Sequence, residues 1–174
     1  MSIRRRALLG ELDLFNHLPE PERDALAARM RPAPFAAGET VHRQGADAHW
    51  LYVLASGEVE ERVGGAGFEE TVCQVKAPGI FGEMSLMTGS PRLATIVAIT
   101  DVECFRLDKH DFEKIMRLPA VAEHMAAVIA RRRMDIDRAR GQLDQETARR
   151  KLSDTELDVL GRIRRFFGID QGAG

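Results

Sequence analysis

Cysteine is nearly missing from this chain, with two in 174 residues, Cys73 and Cys104. Neither sits in a CxxC pair or a Cys/His cluster, so no disulfide framework and no structural zinc site is expected, and both read as reduced, packed thiols. Neither has a histidine near it in sequence that would suggest nucleophilic use. Histidine itself is thin: His17, His42, His49, His110 and His124 form no His-x-His pair, which removes the ligand spacing of a β-roll metalloenzyme. No metal, no catalytic residue and no enzymatic activity are therefore expected. An excess of one charge is also lacking, since 25 Lys and Arg face 27 Asp and Glu for a net −2. That excludes a protein that coats nucleic acid along its whole surface. Long hydrophobic runs are absent, and the most apolar stretches, Leu93 to Thr100 and Met125 to Ala130, fall far short of the roughly 20 residues of a membrane helix. The basic start at Arg4-Arg5-Arg6 has no apolar core or small-residue cleavage site behind it, so it does not read as a signal peptide.

What is present changes period twice. From Arg4 to Met30 apolar residues recur at helical spacing around a break at Pro19-Glu20-Pro21, which predicts two short helices in a lever segment over 1–30. From 31 to 107 the texture turns to short β-branched runs punctuated by Gly38, Gly45, Gly57, Gly64-Gly65, Gly79, Gly82 and Gly89, the pattern of a barrel or β-roll. Within it, His49 to Ala55 and Glu58 to Val63 around Ser56-Gly57 are expected to form one hairpin. Leu93 to Ala98 and Val102 to Leu107 around Ile99-Thr100-Asp101 are expected to form another. Over 108–141 the helical period returns, with a long helix from about Ala120 to about Gly141. Over 142–174 a linker leads to a helix that Ser153-Asp154-Thr155-Glu156 would cap, with Leu157, Leu160, Ile163 and Phe167 on one face and Gly168 as its stop. The fold class is thus mainly β, an antiparallel, jelly-roll-like β-roll with N-terminal helices, one short internal helix and C-terminal helices.

The chemistry concentrates in residues 79–95, Gly79-Ile80-Phe81-Gly82-Glu83-Met84-Ser85-Leu86-Met87-Thr88-Gly89-Ser90-Pro91-Arg92-Leu93-Ala94-Thr95. Phe81-Gly82 ends a strand, and Glu83 to Met87 holds little more than one helical turn before Gly89 can stop it. Such a turn leaves nearly all its first N–H groups free for a small anion, and Gly82 lets an anion approach the backbone. Arg92 adds a planar fork of donors suited to phosphate. Glu83 would repel an anion unless it accepts hydrogen bonds from elsewhere on the ligand, as from a ribose hydroxyl. On the short pattern alone, a Gly-rich strand link with an ordinary Glu83–Arg92 salt bridge reads equally well.

The run resembles the phosphate-binding cassette of the cyclic-nucleotide-binding domain family: Phe-Gly-Glu, a short helix, then Pro-Arg, a small residue, Ala and Thr or Ser. The resemblance extends over roughly Leu12 to Arg133, through the entry helices, Gly45, Tyr52-Val53-Leu54 before Gly57, the cassette and two closing helices. It implies that Arg92 pairs with a cyclic phosphate and that Glu83 accepts from the ribose 2′-hydroxyl. Backbone N–H groups at Gly82, Glu83, Leu93 and Ala94 would complete the cradle, with Met84 and Thr95 beside it. Leu93 stands where a hydroxyl residue in relatives can favour guanine, so cAMP is expected over cGMP. His49, where relatives often carry Asp, reads as an exposed turn histidine. The base should be capped from the last family helix, by candidates among Met125, Val128, Ile129, Arg132 and Arg133, although the apolar ones equally suit the core and Arg131-Arg132-Arg133 a solvated charge run.

The expected function is a cyclic-nucleotide sensor whose closing helix moves on binding. About 40 residues follow the Arg131 cluster, too few for a helix-turn-helix domain, so nucleic acid is not an expected partner. The whole chain resembles the cytoplasmic tail of bacterial cyclic-nucleotide-gated channels of the small mechanosensitive type. This implies a transmembrane pore as partner and a place at the inner face of the bacterial plasma membrane, with Arg4-Arg5-Arg6 next to it. A stand-alone cytoplasmic sensor and a truncated transcription-regulator-type domain are the alternatives, and self-association through the last helices is plausible.

Overall fold

A computed structural model describes residues 2–65, 68–139 and 145–169. The chain enters through α1 (Ser2–Gly10) and α2 (Glu20–Arg29). The first helix ends at Gly10, and Leu12 to Leu18 coil into turns that still bury Leu12, Leu14, Phe15 and Leu18. Pro19-Glu20-Pro21 starts α2 rather than merely breaking a helix: proline is tolerated in the first turn, and Glu20 and Glu22 there with Arg29 in the last turn suit the helix dipole.

Among the described residues eight strands follow: β1 (Arg31–Pro32), β2 (Thr40–His42), β3 (Trp50–Ser56), β4 (Glu58–Gly65), β5 (Phe68–Lys76), β6 (Gly79–Phe81), β7 (Thr95–Ala98) and β8 (Glu103–Asp108). They form two antiparallel sheets, one ordered β1-β8-β3-β6 and the other β2-β7-β4-β5. The β-roll with flanking helices is therefore the observed fold. β3 is buried on both sides: Tyr52 and Leu54 join Val59, Phe81, Ile96 and Cys104 between the sheets, while Leu51 and Val53 pack under the helices. That double burial is why Leu51 to Leu54 is a continuous apolar run rather than an alternating one.

Both expected hairpins are overturned. β3 pairs with β6 and β8, whereas β4 pairs with β5 and β7, so Ser56-Gly57 carries the chain from one sheet to the other. The Ile99-Thr100-Asp101 turn makes the return crossing, from β7 beside β2 and β4 to β8 beside β1 and β3. The two crossovers lie against each other: Ile99 N donates to Glu58 O at 2.9 Å and Glu58 N to Thr100 Oγ1 at 3.1 Å. Strand alternation and a turn signal say that two strands are consecutive, not that they are partners. The hairpin that does form is β4 with β5.

Past β8, α4 (Lys109–Phe112) opens on a capping box, with Asp111 N donating to Asp108 Oδ1 at 3.2 Å and Asp108 N to Asp111 Oδ2 at 2.8 Å. The buried Asp111 also accepts from Arg31 at 3.1 Å and Arg29 at 3.4 Å, tying the entry helices to the roll. A 3₁₀ turn over Ile115–Arg117 leads to α5 (Pro119–Ala139), close to the expected long helix, whose predicted end at Gly141 lies outside the described residues. The last helix, α6 (Gln145–Phe167), begins eight residues before the predicted cap at Ser153 and runs straight through it. Gln145 to Leu152 contains Ala, Arg, Lys, Gln, Glu and Leu, all strong helix formers, so the helix propagates across a sequence that could have started one. Among the described residues no helix is long and apolar enough to cross a membrane.

Gly57 has φ +87°, and a Cβ there would meet Thr100 Oγ1 and Val102 Cγ1, both at 2.8 Å. Gly57→Ala is expected to cost about 2 kcal/mol or more through backbone strain and this clash, read as a lowered urea midpoint. An unchanged midpoint would show that the crossovers are not locked together at this point.

Candidate functional site

The cassette helix α3 (Glu83–Thr88) stands between two glycines in the left-handed region, Gly82 at φ 76° and Gly89 at φ 67°. Gly82 is required twice over, since a Cβ there would also lie 2.6 Å from Arg92 Nη1. Arg92 is 3% exposed and points back under the helix start, donating from Nη1 to the Gly82 carbonyl at 2.9 Å and from Nη2 to the Trp50 carbonyl. Its Nε is buried with no partner among the described residues. The return loop is fixed by Arg92 N to Ala46 O and Gly45 N to Arg92 O, both 2.8 Å, and by Ser85 Oγ to Pro91 O at 3.0 Å. Burial lowers the Arg92 pKa, with Tyr52 and Glu83 acting against that shift.

The ordinary Glu83–Arg92 salt bridge left open by the sequence is not the arrangement found. Glu83, itself buried, is held by Arg132 from α5 at 3.0 Å. The same guanidinium reaches Asp13 at 2.9 Å and the Ile80 carbonyl at 3.5 Å, so one side chain joins the entry segment, the cassette and the closing helix. Burial pulls the Arg132 pKa down, but pairing with Glu83 and Asp13 leaves it raised overall. A buried cation whose direct partners are neutral carbonyls thus lies beside a carboxylate neutralised by another residue. Such a cation is suited to an anionic ligand.

A cavity of about 100 Å³ opens on this arrangement. Of the residues singled out from sequence, Gly82, Glu83, Met84, Arg92, Leu93, Ala94 and Arg133 line it. Thr95 is instead buried, its hydroxyl accepting from Gln44 N at 3.0 Å. Arg132 lines a second cavity of about 520 Å³ on the other side of Glu83, with Cys73, Gln74 and Val75 of β5. Met125 and Val128 belong to the helix-packed core, and Ile129 borders a small cleft with Met84, Leu93 and Arg162. Sequence reading missed four lining residues, His42, Glu61, Ser85 and Ile96, and the β2–β7 register that sets His42 opposite Ile96 brings those two in together.

One further contact frames the site. Phe166 of α6 packs on Gly89, 2.5 Å from where a Cβ would stand, with Lys109 Nζ 4.1 Å from its ring centre. Away from the cavity, in the core between the sheets, Cys104 is buried, which pushes its thiol up to about 12, and it donates to the Ala33 carbonyl at 2.7 Å.

Removing Arg132 alone leaves the Glu83 carboxylate buried without its ion partner. Arg132→Ala is therefore expected to destabilise by about 1–3 kcal/mol in urea titrations, and Arg132→Ala with Glu83→Ala by less than the sum of the single changes. Additive losses would show that the pair carries no coupling.

The sequence profile of the family described as "Cyclic nucleotide-binding domain" matches residues 32–118. The cyclic AMP receptor protein of Thermus thermophilus is 34% identical over 149 residues, covering 84% of this chain and 69% of that protein. The N-terminal domain of a transcriptional regulator from Streptomyces coelicolor is 30% identical with a TM-score of 0.61, over 72% of this chain and 91% of that one. A cAMP-binding acyltransferase from Mycobacterium smegmatis is 28% identical with a TM-score of 0.58, over 76% of this chain but 41% of that one. The strand order, the glycine-framed cassette helix and these matches agree, and the chain belongs to the cyclic nucleotide-binding domain family.

Proposed function

We propose that this chain is a cAMP-preferring sensor and regulatory domain, in which ligand binding at Arg92 and Glu83 repositions α5 and α6. The observation that carries this reading is the Arg92–Glu83–Arg132 arrangement. The cyclic phosphate pairs with the Arg92 guanidinium at the glycine end of α3, and the ribose hydroxyl donates to Glu83. Such a donor shares the carboxylate with Arg132, which holds one of its two oxygens. The ligand therefore acts on the link between cassette, entry segment and α5.

Size points the same way. About 100 Å³ accommodates a phosphate but falls below the roughly 300–1,000 Å³ of small-molecule pockets, so a whole nucleotide needs α5 displaced or its base extended toward the larger cavity. Binding and helix position are then linked, and a 100-fold preference for the displaced state supplies about 2.7 kcal/mol to the switch. Binding, not catalysis, is the role proposed.

For the output, the regulator-type reading is preferred to the channel reading. The relatives that share this segment include a cAMP receptor protein and a transcriptional regulator domain. The basic start that would suit a membrane face is largely engaged by its own chain. Arg5 donates to the Met30 carbonyl at 3.1 Å and lies over the Phe105 ring, while Arg6 pairs with Glu20 and Asp24.

Calorimetry with cAMP and cGMP tests the reading. The unmodified chain is expected to bind cAMP more tightly, and Arg92→Ala to weaken binding about 100-fold, the scale of a lost charge-assisted bidentate contact. Leu93→Thr is expected to narrow the cAMP preference by restoring a hydroxyl beside the cradle. Failure of the unmodified chain to bind either nucleotide, or tight binding by Arg92→Ala, would refute the proposal.

A further inference from the structure

His42 is a residue for which the fold alone has no use. It ends β2, opposite Ile96 of β7, and its ring faces the cavity that Arg92 lines, with its centre 6.2 Å from that of Tyr52. Both ring nitrogens are buried, and neither makes a hydrogen bond of ordinary geometry among the described residues, although the Ala94 backbone lies beside the ring. A buried imidazole whose nitrogens lack well-formed hydrogen bonds is a cost to folding unless something else satisfies them.

We propose that His42 is a second recognition residue for the anion at Arg92: it is neutral in the unliganded pocket, and takes up one proton from solvent to donate to the bound phosphate. This rests on the cyclic-nucleotide reading and adds to it the regulation of the same site by pH.

The groups facing the ring decide its behaviour. Arg92 from the loop before β7 and Arg133 from α5 bring positive charge to the cavity, Glu83 from α3 and Glu61 from β4 bring carboxylates, and β3 contributes the Tyr52 ring. Burial and then the Arg92 charge lower the His42 pKa from 6.5 to about 3, while the nearby Ala94 backbone favours the protonated ring. A phosphate monoanion entering between Arg92 and His42 reverses the sign of the nearest charge. The imidazolium then has a phosphate oxygen for one N–H and the Ala94 carbonyl within reach of the other. Because the ligand raises the pKa, binding takes up a proton, and affinity rises as pH falls below the value in the complex toward that of the free protein.

The test is calorimetry of the full chain with cAMP from pH 5.5 to 7.5, in pairs of buffers with different ionisation enthalpies. Unmodified protein, His42→Gln and His42→Leu are compared. The unmodified protein is expected to show proton uptake on binding and several-fold tighter binding at the acidic end. His42→Gln, which keeps an N–H donor, is expected to bind within a few-fold at neutral pH with no proton uptake and a flat profile. His42→Leu should bind about tenfold more weakly and equally flat. Should the leucine variant fail to fold, His42→Gln and ¹⁵N spectra of the imidazole with and without cAMP carry the same test. Absence of proton uptake by the unmodified chain, or uptake that persists in the variants, overturns the role of His42. If cAMP then still binds in an Arg92-dependent manner, the sensor reading stands; if cAMP does not bind at all, both fall.

Discussion

Everything around the site depends on keeping one guanidinium charged and buried. Arg92 is removed from water between the two sheets and the cassette helix, and its direct support consists of two backbone carbonyls, those of Gly82 and Trp50. Carbonyl dipoles solvate a cation without cancelling its charge, so the field of Arg92 remains available to a ligand. The cost of that burial is met by the rest of the fold. The Gly45–Arg92 and Arg92–Ala46 backbone bonds hold the loop, and the glycine at position 82 leaves room for the guanidinium.

The second charged centre, Arg132, is arranged in the opposite way. It is surrounded by carboxylates and serves as a tie between three parts of the chain that are far apart in sequence. The site thus divides its two arginines by environment, one left electrostatically open and one closed by ion pairs. Glu83 is the junction between them, so that in the proposed function a ligand that occupies Glu83 would have consequences beyond the pocket. The helices that cover the site would carry that consequence, since α5 supplies Arg132 and α6 rests on α3 through Phe166.

Much of the cassette was legible because its chemistry is local. Gly82, Glu83 and Arg92 lie within one short run, and the turn, the single helical turn and the returning arginine follow from residue types alone. The partners of those residues were not legible. Glu83 finds Arg132 across 49 positions and Arg92 finds the Trp50 carbonyl across 42, pairings created by the roll and absent from any local pattern. The same blindness produced the two mistaken hairpins, where turn chemistry at Gly57 and Thr100 was read correctly but the sheet each strand joins was not. His42 escaped for a related reason: a histidine between Val41 and Arg43 has no motif, and only the β2–β7 register brings it to the cavity. At the far end, Ser153 to Glu156 looked like a beginning because a cap sequence is permissive of a helix start without compelling one.

The framing of α3 by glycines has a mechanical consequence. Each end of this helix is backed by a side chain lying where a Cβ would be, the Arg92 guanidinium at Gly82 and the Phe166 ring at Gly89. The helix therefore has no slack at either end, and it behaves as a short strut between a cation and an aromatic ring. A shift of the strut toward an anion at one end withdraws support from Phe166 at the other. In the sensor function proposed above, the terminal helix would sense occupancy of the pocket at that ring without touching the ligand.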